Sequence, residues 1–374
     1  MLLQKKEKRD LMLQHVDHFH GSDLEKIEQI YGIKKENITS FSANVNPLGL
    51  SGQLRASLAE HLDVITGYPD REYTALRKTI AAYCGTEHEH ILVGNGSTEL
   101  ISLFIQMEHP KKALIIGPTY SEYEREVSLG GGTSLYFPLK ESADFKLNLE
   151  KLEAQLNESI DLLILCNPNN PTSSAITRST MRSILDMCKQ HGIFVMVDET
   201  YVEFTDNYDA INAVPLTSSY NNLIVLRGIS KFFAAPGLRL GYAVTGNMDL
   251  IKMINSHKNP WTINSLAEAA GKLMFTDKDY IEQTKSLISS ERRRIVARLK
   301  EMKDFKVYEP TANFVLVRIL REELNADILF DQAIRQNMMI RNCASFPFLD
   351  NKYFRFCFML PQMNDKLLKC IEDA

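Results

Sequence analysis

At 374 residues the chain exceeds what one hydrophobic core supports, so two domains are expected, or one large domain with a smaller partner, with room for a sizeable cleft. A hydrophobic fraction of 44% and a charged fraction of 24% exclude a disordered or fibrous chain, and a net charge of −4 with scattered basic residues excludes the electrostatic footprint of a nucleic-acid binder. No window nears the roughly 18 uninterrupted apolar residues of a membrane span, and the opening MLLQKKEKRDLMLQH breaks its apolar residues with charges, so a soluble, unexported, cytoplasmic protein is expected.

Five short apolar runs bounded by turn residues follow in chain order: HILVGNG at 90–96, KALIIGP at 112–118, DLLILCNPNNP at 161–171, IFVMVDE at 193–199 and NLIVLRG at 222–228. They are continuously apolar rather than alternating, which suits strands covered on both faces. Helical patterns separate them, such as STELISLFIQM after the first run and TRSTMRSILDMCKQHG between the third and fourth. This rhythm predicts an α/β domain with a mainly parallel sheet flanked by helices. Beyond Gly246 the texture changes: one long helical stretch over 265–303 leads into TANFVLVRI and MMIRNCASF, strands of a smaller α+β domain. The expected division is an N-terminal segment over 1–50 packing on the small domain, a large domain over 51–255 and the small domain over 256–374. The six cysteines, Cys84, Cys166, Cys188, Cys343, Cys357 and Cys370, show no CxxC or metal-ligand spacing and read as reduced thiols, mostly buried.

Ligands of parallel sheets sit at the carboxyl ends of the strands. Polar residues follow all five runs here: Gly96-Ser97-Thr98, Pro118-Thr119-Tyr120, 167–172, Asp198 to Tyr201, and Ser230-Lys231. One such ending is ordinary turn chemistry, whereas five describe a single pocket. Gly96-Ser97-Thr98 opens a helix, whose N-terminal amides attract a phosphate, although an N-cap without a ligand reads the same way. Asp198 ends a strongly apolar run, where a carboxylate needs a partner. Lys231 and Arg239 stand eight residues apart in the otherwise apolar and glycine-rich GISKFFAAPGLRLGY. They are either a solvated lysine with a loop arginine, or a desolvated amine beside a phosphate-holding fork.

The set GNGST, GPTY, CNPNNPT, VDETY, SK and GLRLGY, in this order over nearly the whole chain, resembles the fold-type I pyridoxal phosphate enzymes related to class I and II aminotransferases. That resemblance implies a homodimer with shared active sites and pyridoxal 5'-phosphate as cofactor. It makes Lys231 the Schiff-base lysine, Asp198 the partner of the pyridine nitrogen, Asn170 and Tyr201 donors to the ring oxygen, and Tyr120 the stacking ring. Gly96, Ser97, Thr98, Ser230 and Arg239 then hold the cofactor phosphate, joined by Tyr68 from the other subunit. Lys231, Asp198 and Tyr201 are the catalytic set. The chain departs from the pattern twice: Ser173 stands where glycine is usual after Asn-Pro-Thr, and Gly228 where many members carry a hydroxyl three residues before the lysine.

A second layer of motifs lies outside the cofactor set: His20-Gly21-Ser22, FSANVNPLG at 41–49, YPD at 68–70, KFFAAPGLRLGY, PWTIN at 260–264 and IRNCASFPFLDNKYFR at 340–355. These resemble the branch that decarboxylates L-threonine O-3-phosphate, with the histidinol-phosphate aminotransferases as nearest relatives. Ser22 departs from the more usual second glycine. The resemblance implies a small phosphorylated amino acid held by His20, Gly21, Ser22, Asn44, Asn170, Arg341 and Arg355, and planar arginine forks suit both phosphate and carboxylate. Two readings from other classes remain: an aminotransferase using the same lysine, aspartate and Arg355, and a ligand-sensing aminotransferase-like domain. The sensing reading lacks a helix-turn-helix segment or basic face in this sequence.

Overall fold

The computed structural model describes residues 23–374, opening with helix α1 (Leu24–Tyr31) and a two-residue strand β1 (Thr39–Ser40). Helices α2 (Gly52–Glu60) and α3 (Thr74–Cys84) lead into a seven-stranded sheet. Its strands are β2 (Ile91–Gly94), β3 (Lys112–Gly117), β4 (Thr133–Pro138), β5 (Leu162–Cys166), β6 (Phe194–Asp198), β7 (Leu223–Gly228) and β8 (Gly241–Val244). The order is β2-β8-β7-β6-β5-β3-β4; β8 runs antiparallel to both neighbours and every other pairing is parallel. All five apolar runs become strands of this sheet. Every residue of β5 and β7 is buried, as continuous apolar patterning requires when helices cover both faces. β4 escaped the sequence reading because TSLYFP, at the sheet edge, mixes polar and apolar residues and is only partly buried.

Helices α4 (Gly96–Glu108), α5 (Glu122–Leu129) and α6 (Arg178–Gln190) are the crossovers. α6 shows why these segments fold as they do. Met181, Ile184, Leu185 and Cys188 fall at i, i+3, i+4 and i+7 and form its buried stripe, while the Thr177 side chain accepts from the Thr180 amide at the N-terminus.

After α7 (Met248–His257), the single helical stretch expected over 265–303 is two helices, α8 (Ser265–Met274) and α9 (Lys278–Glu301). The break comes where Asp277 accepts from the Tyr280 amide, a cap that starts a new helix. Strands β9 (Phe305–Val307) and β10 (Phe314–Ile319) precede helix α10 (Ala326–Ile334). MMIRNCASF, expected as one strand, supplies two short ones in different sheets. β11 (Met338–Met339) pairs in parallel with β1, and β12 (Arg341–Asn342) joins an antiparallel sheet of order β12-β13-β10-β9 with β13 (Tyr353–Cys357). Helix α11 (Pro361–Glu372) closes the chain.

A buried polar layer lies next to the sheet end that carries Asp198. Arg227 is fully buried and donates to Glu199 Oε2 through Nε at 3.0 Å and Nη2 at 2.6 Å, to Asn212 Oδ1 at 2.7 Å and to Tyr208 Oη at 2.8 Å. Glu203 is also buried, yet neither of its carboxyl oxygens has a hydrogen-bond partner. Burial, against the pull of Arg227, pushes its carboxyl from the usual 4.5 up to about 7. Between those values the folded protein holds a proton that the unfolded chain releases, so stability falls as pH rises through the window. The full cost, at 1.36 kcal/mol per unit about 3 kcal/mol, is in place above it. Glu203→Gln is expected to raise the melting temperature relative to the parent chain at about pH 8, by a margin that shrinks towards pH 5. Thermal unfolding at both pH values checks this, and a margin independent of pH would contradict it.

Candidate active site

The carboxyl ends of β2, β3, β5, β6 and β7 open onto one cleft of about 400 Å³, lined by Ser97, Thr98, Tyr120, Asn170, Asp198, Tyr201, Ser230, Lys231 and Arg239. Its far wall comes from the 42–45 segment and from the small antiparallel sheet, with Arg341, Ser345, Phe346 and Arg355. The five polar strand endings meet as the α/β pattern requires.

The floor is built by close backbone packing. Gly96, at the N-terminus of α4, has φ +78°, and a Cβ placed on it would lie 2.3 Å from Nη2 of Arg239. A Cβ on Gly241 would lie 2.3 Å from the amide nitrogen of Ser97. Only glycine fits at either place, so the helix N-terminus, the Ser97 and Thr98 hydroxyls and the Arg239 guanidinium remain grouped as an anion cradle. Gly228 lies beside the same corner, where a Cβ would stand 3.9 Å from Ser97 Oγ. Arg239 itself donates to the Asn95 carbonyl at 3.3 Å.

Above the cradle, Lys231 Nζ donates to the Ala43 carbonyl at 2.7 Å. Burial first, and then the nearby Arg355 cation, pull its ammonium from the usual 10.5 down to about 8. A neutral, nucleophilic amine is therefore within reach near physiological pH. Asp198, 5% exposed, ends β6 with both carboxylate oxygens held and one acceptor site left on Oδ2: Oδ2 accepts from Tyr123 Oη at 2.7 Å, and Oδ1 from the Thr200 amide at 2.9 Å and Thr200 Oγ1 at 2.5 Å. Burial pushes the Tyr120 phenol up to about 12, so it lines the cleft as a neutral ring, edge-on to Tyr123 at 5.6 Å. Burial likewise raises the Tyr201 phenol, whose oxygen accepts from Asn44 Nδ2 at 3.4 Å.

Arg355 is 4% exposed. It donates through Nη1 to Asn170 Oδ1 and through Nη2 to the Ser42 carbonyl at 2.6 Å, and its guanidinium lies 5.3 Å from the Phe314 ring centroid. Arg341 is its direct cross-strand neighbour between β12 and β13. Arg341 donates to Ser345 Oγ at 2.8 Å and lies 5.3 Å from the Phe346 centroid, and burial together with Arg355 lowers its value to about 10. Like charges opposed across a strand pair are destabilising unless an anion lies between them.

Of the expected residues that are described, Tyr68 is not brought into this cleft by its own chain. His20, Gly21 and Ser22 lie outside the described residues. Tyr68 is 83% exposed, its ring 4.8 Å from that of Trp261 rather than in the cleft of its own chain. The departure at Ser173 finds a physical account. Its φ of +59° explains why glycine suits the position, and its hydroxyl accepts from the amides of Thr311 at 3.1 Å and Ala312 at 2.9 Å. Those bonds tie the turn to the approach to β10 and offset the strained backbone. Sequence reasoning missed Tyr123 and Ser345, and gave Thr200 a place in the polar ending of its strand but no role of its own. The only signal for Tyr123 was its i+3 spacing from Tyr120, which sets the two rings on one side of the turn into α5.

The cleft fits pyridoxal phosphate on its own geometry. It has an anion cradle at one end, a carboxylate at the other, a depressed lysine amine between them and an aromatic ring at the side. Buried polar atoms without partners also line it: Ser42 Oγ, Asn44 Oδ1, Thr119 Oγ1 and Arg355 Nε. All six cysteines are buried and free, and the described residues contain no His/Cys/Asp/Glu group able to hold a metal ion. No described helix is long and apolar enough to cross a membrane.

The sequence profile described as aminotransferase class I and II matches residues 36–371. Threonine-phosphate decarboxylase of Salmonella typhimurium is 32% identical over 355 residues, covering 95% of this chain and 96% of that protein. Among solved structures, histidinol-phosphate aminotransferase from Clostridium acetobutylicum superposes with a TM-score of 0.83 at 31% identity, over 89% of this chain and 98% of that one. L-threonine-O-3-phosphate decarboxylase from Porphyromonas gingivalis gives a TM-score of 0.79 at 25% identity, over 89% and 98%.

Proposed function

This chain belongs to the class I and II aminotransferase family, and we propose that within it the protein is a pyridoxal phosphate-dependent decarboxylase of L-threonine O-3-phosphate, yielding the phosphorylated amino alcohol. The observation that carries this reading is the charge of the cleft. Lys231, Arg239, Arg341 and Arg355 face it against the single carboxylate of Asp198. A cofactor phosphate in the cradle answers Arg239. The paired arginines on the far wall then suit a small substrate with two anionic ends, a carboxylate and a phosphate. The Salmonella relative, at 32% identity over almost the whole of both chains, supports the same reading.

The residues divide the work. The helix N-terminus with Ser97, Thr98, Ser230 and Arg239 would hold the cofactor phosphate, Asp198 its ring nitrogen, Asn170 and Tyr201 its ring oxygen, and Tyr120 its face. When bound, the cofactor supplies an electron sink for the pair released from the substrate's α-carbon. Arg355, Arg341 and Asn44 would hold the anionic ends of the substrate, and their placement would decide which bond at the α-carbon breaks. Lys231, whose amine lines the cleft with its value lowered, would return a proton to the α-carbon.

Supporting organisation is proposed with it: a cofactor-binding domain over 51–255, a small domain over 256–374, and an N-terminal segment over 1–50. The pairing of β1 with β11 supports the placement of that last segment on the small domain. A cytoplasmic homodimer with shared sites is proposed as well, since Leu62, Ile65, Tyr68 and Trp261 present large apolar side chains to solvent on one chain. The structural match to histidinol-phosphate aminotransferase favours transamination as the second reading. Incubating the cofactor-loaded protein with L-threonine O-3-phosphate, with and without 2-oxoglutarate, separates the two. Carbon dioxide release independent of 2-oxoglutarate is expected, and 2-oxoglutarate-dependent glutamate without carbon dioxide would overturn the decarboxylase reading.

A further inference from the structure

Asp198 is the one carboxylate lining the cleft, and everything asked of it depends on where its two oxygens point. Three donors settle this. Thr200 engages Oδ1 with both its amide and its hydroxyl, a local two-residue turn that any Asp-x-Thr can make. Oδ2 is engaged by Tyr123 Oη at 2.7 Å, from a residue 75 positions away. Tyr123 is fully buried in the first turn of α5, its ring braced edge-on against Tyr120. A buried phenol that donates to a carboxylate forms a short, charge-assisted bond that fixes direction as well as distance. Aspartate has a soft terminal torsion that turns both oxygens together, and the Tyr123 bond restrains it from a distant element where the Thr200 pair is local.

We propose that Tyr123 is a positioning residue of this site: through its hydroxyl it aims the Asp198 carboxylate at the cofactor ring and thereby sets how tightly, and at what tilt, that ring is held. The proposal rests on the cofactor reading alone and not on which substrate bond is broken. It also divides labour between neighbouring tyrosines. Tyr120 lines the cleft with its ring, while Tyr123, three residues on, donates its hydroxyl to Asp198.

The test is Tyr123→Phe in the full chain, which keeps the ring and removes the hydroxyl. Tyr242→Phe serves as control, because Tyr242 is equally buried and its hydroxyl, outside the cleft, accepts from the Cys84 thiol at 3.6 Å. Cofactor affinity and the circular dichroism of bound pyridoxal phosphate are measured without substrate, and melting temperature is measured alongside. Tyr123→Phe should weaken cofactor binding about 10- to 150-fold, as loss of a hydrogen bond to a charged group does, and should change the dichroic band; Tyr242→Phe should do neither. Equal cofactor affinity and an unchanged band in Tyr123→Phe would overturn the proposal. So would equal losses in both variants, since these would mark Tyr123 as merely structural. If neither the parent chain nor the variants bound pyridoxal phosphate, the cofactor reading itself would fall, an outcome distinct from either.

Discussion

Lys231→Ala is expected to lower turnover by about 10³-fold or more, the upper part of the range that a single proton-transferring group contributes, because one side chain carries two duties in this cleft. It is the amine whose desolvation, with its value near 8, leaves it free to attack a carbonyl carbon. In the proposed reaction it is also the group that would return a proton to the α-carbon. Alanine removes both and keeps the backbone, and the hydrogen bond lost to Ala43 is the only one that Nζ makes among the described residues. The variant should therefore fold, bind pyridoxal phosphate less tightly and only reversibly, and release it on dialysis. Borohydride reduction followed by mass spectrometry of the peptides checks the linkage: label at Lys231 in the parent chain, none in the variant. Undiminished turnover would show that the site has been misplaced.

Arg355→Met is the second large effect. Methionine retains the length and apolar bulk of the side chain while removing the cation, its bonds to Asn170 and the Ser42 carbonyl, and the free Nε that faces the cleft. A kcat/KM loss of 10²- to 10³-fold is expected, corresponding to about 3–4 kcal/mol for a buried charged group that contacts an anion. Most of the loss should fall on KM. Arg355→Lys should restore little, since an ammonium cannot bridge Asn170, the 42–44 backbone and a substrate anion at once. Arg341, more open and held by Ser345 and Phe346, should cost less when replaced in the same way. A larger loss at Arg341 than at Arg355 would reverse the assignment of the principal anion clamp.

Much of the fold was legible because buried parallel strands write themselves as unbroken apolar runs, and β2, β3, β5, β6 and β7 all did. The convergence of the five polar strand endings on one cleft was legible for the same reason, since each ending follows such a run within a few positions. What could not be read was whatever is settled in three dimensions. β4 at the sheet edge mixes polar with apolar residues, so neither pattern stood out. The break between α8 and α9 turns on whether Asp277 caps a helix or rides within one. Tyr123 and Ser345 matter through partners 75 and four residues away, contacts that no local pattern records. Glu203 looks like an ordinary charge in VDETYVEF, and only the packed structure shows it buried without a partner.

The far wall of the cleft also constrains the order in which this molecule can be assembled. Arg355 reaches back 313 residues to the Ser42 carbonyl, Asn313 reaches 269 to Asn44, and Lys231 reaches 188 to Ala43. Closing loops of that length is slow compared with forming the local strand-helix units of the large sheet. During synthesis the phosphate cradle can therefore stand complete while the 42–46 stretch has Lys231 and Phe232 to lie against but neither Asn313 nor Arg355, because these emerge among the last parts of the chain. The cofactor pocket comes first and the substrate pocket last, so a nascent chain can acquire its cofactor before it can select a substrate.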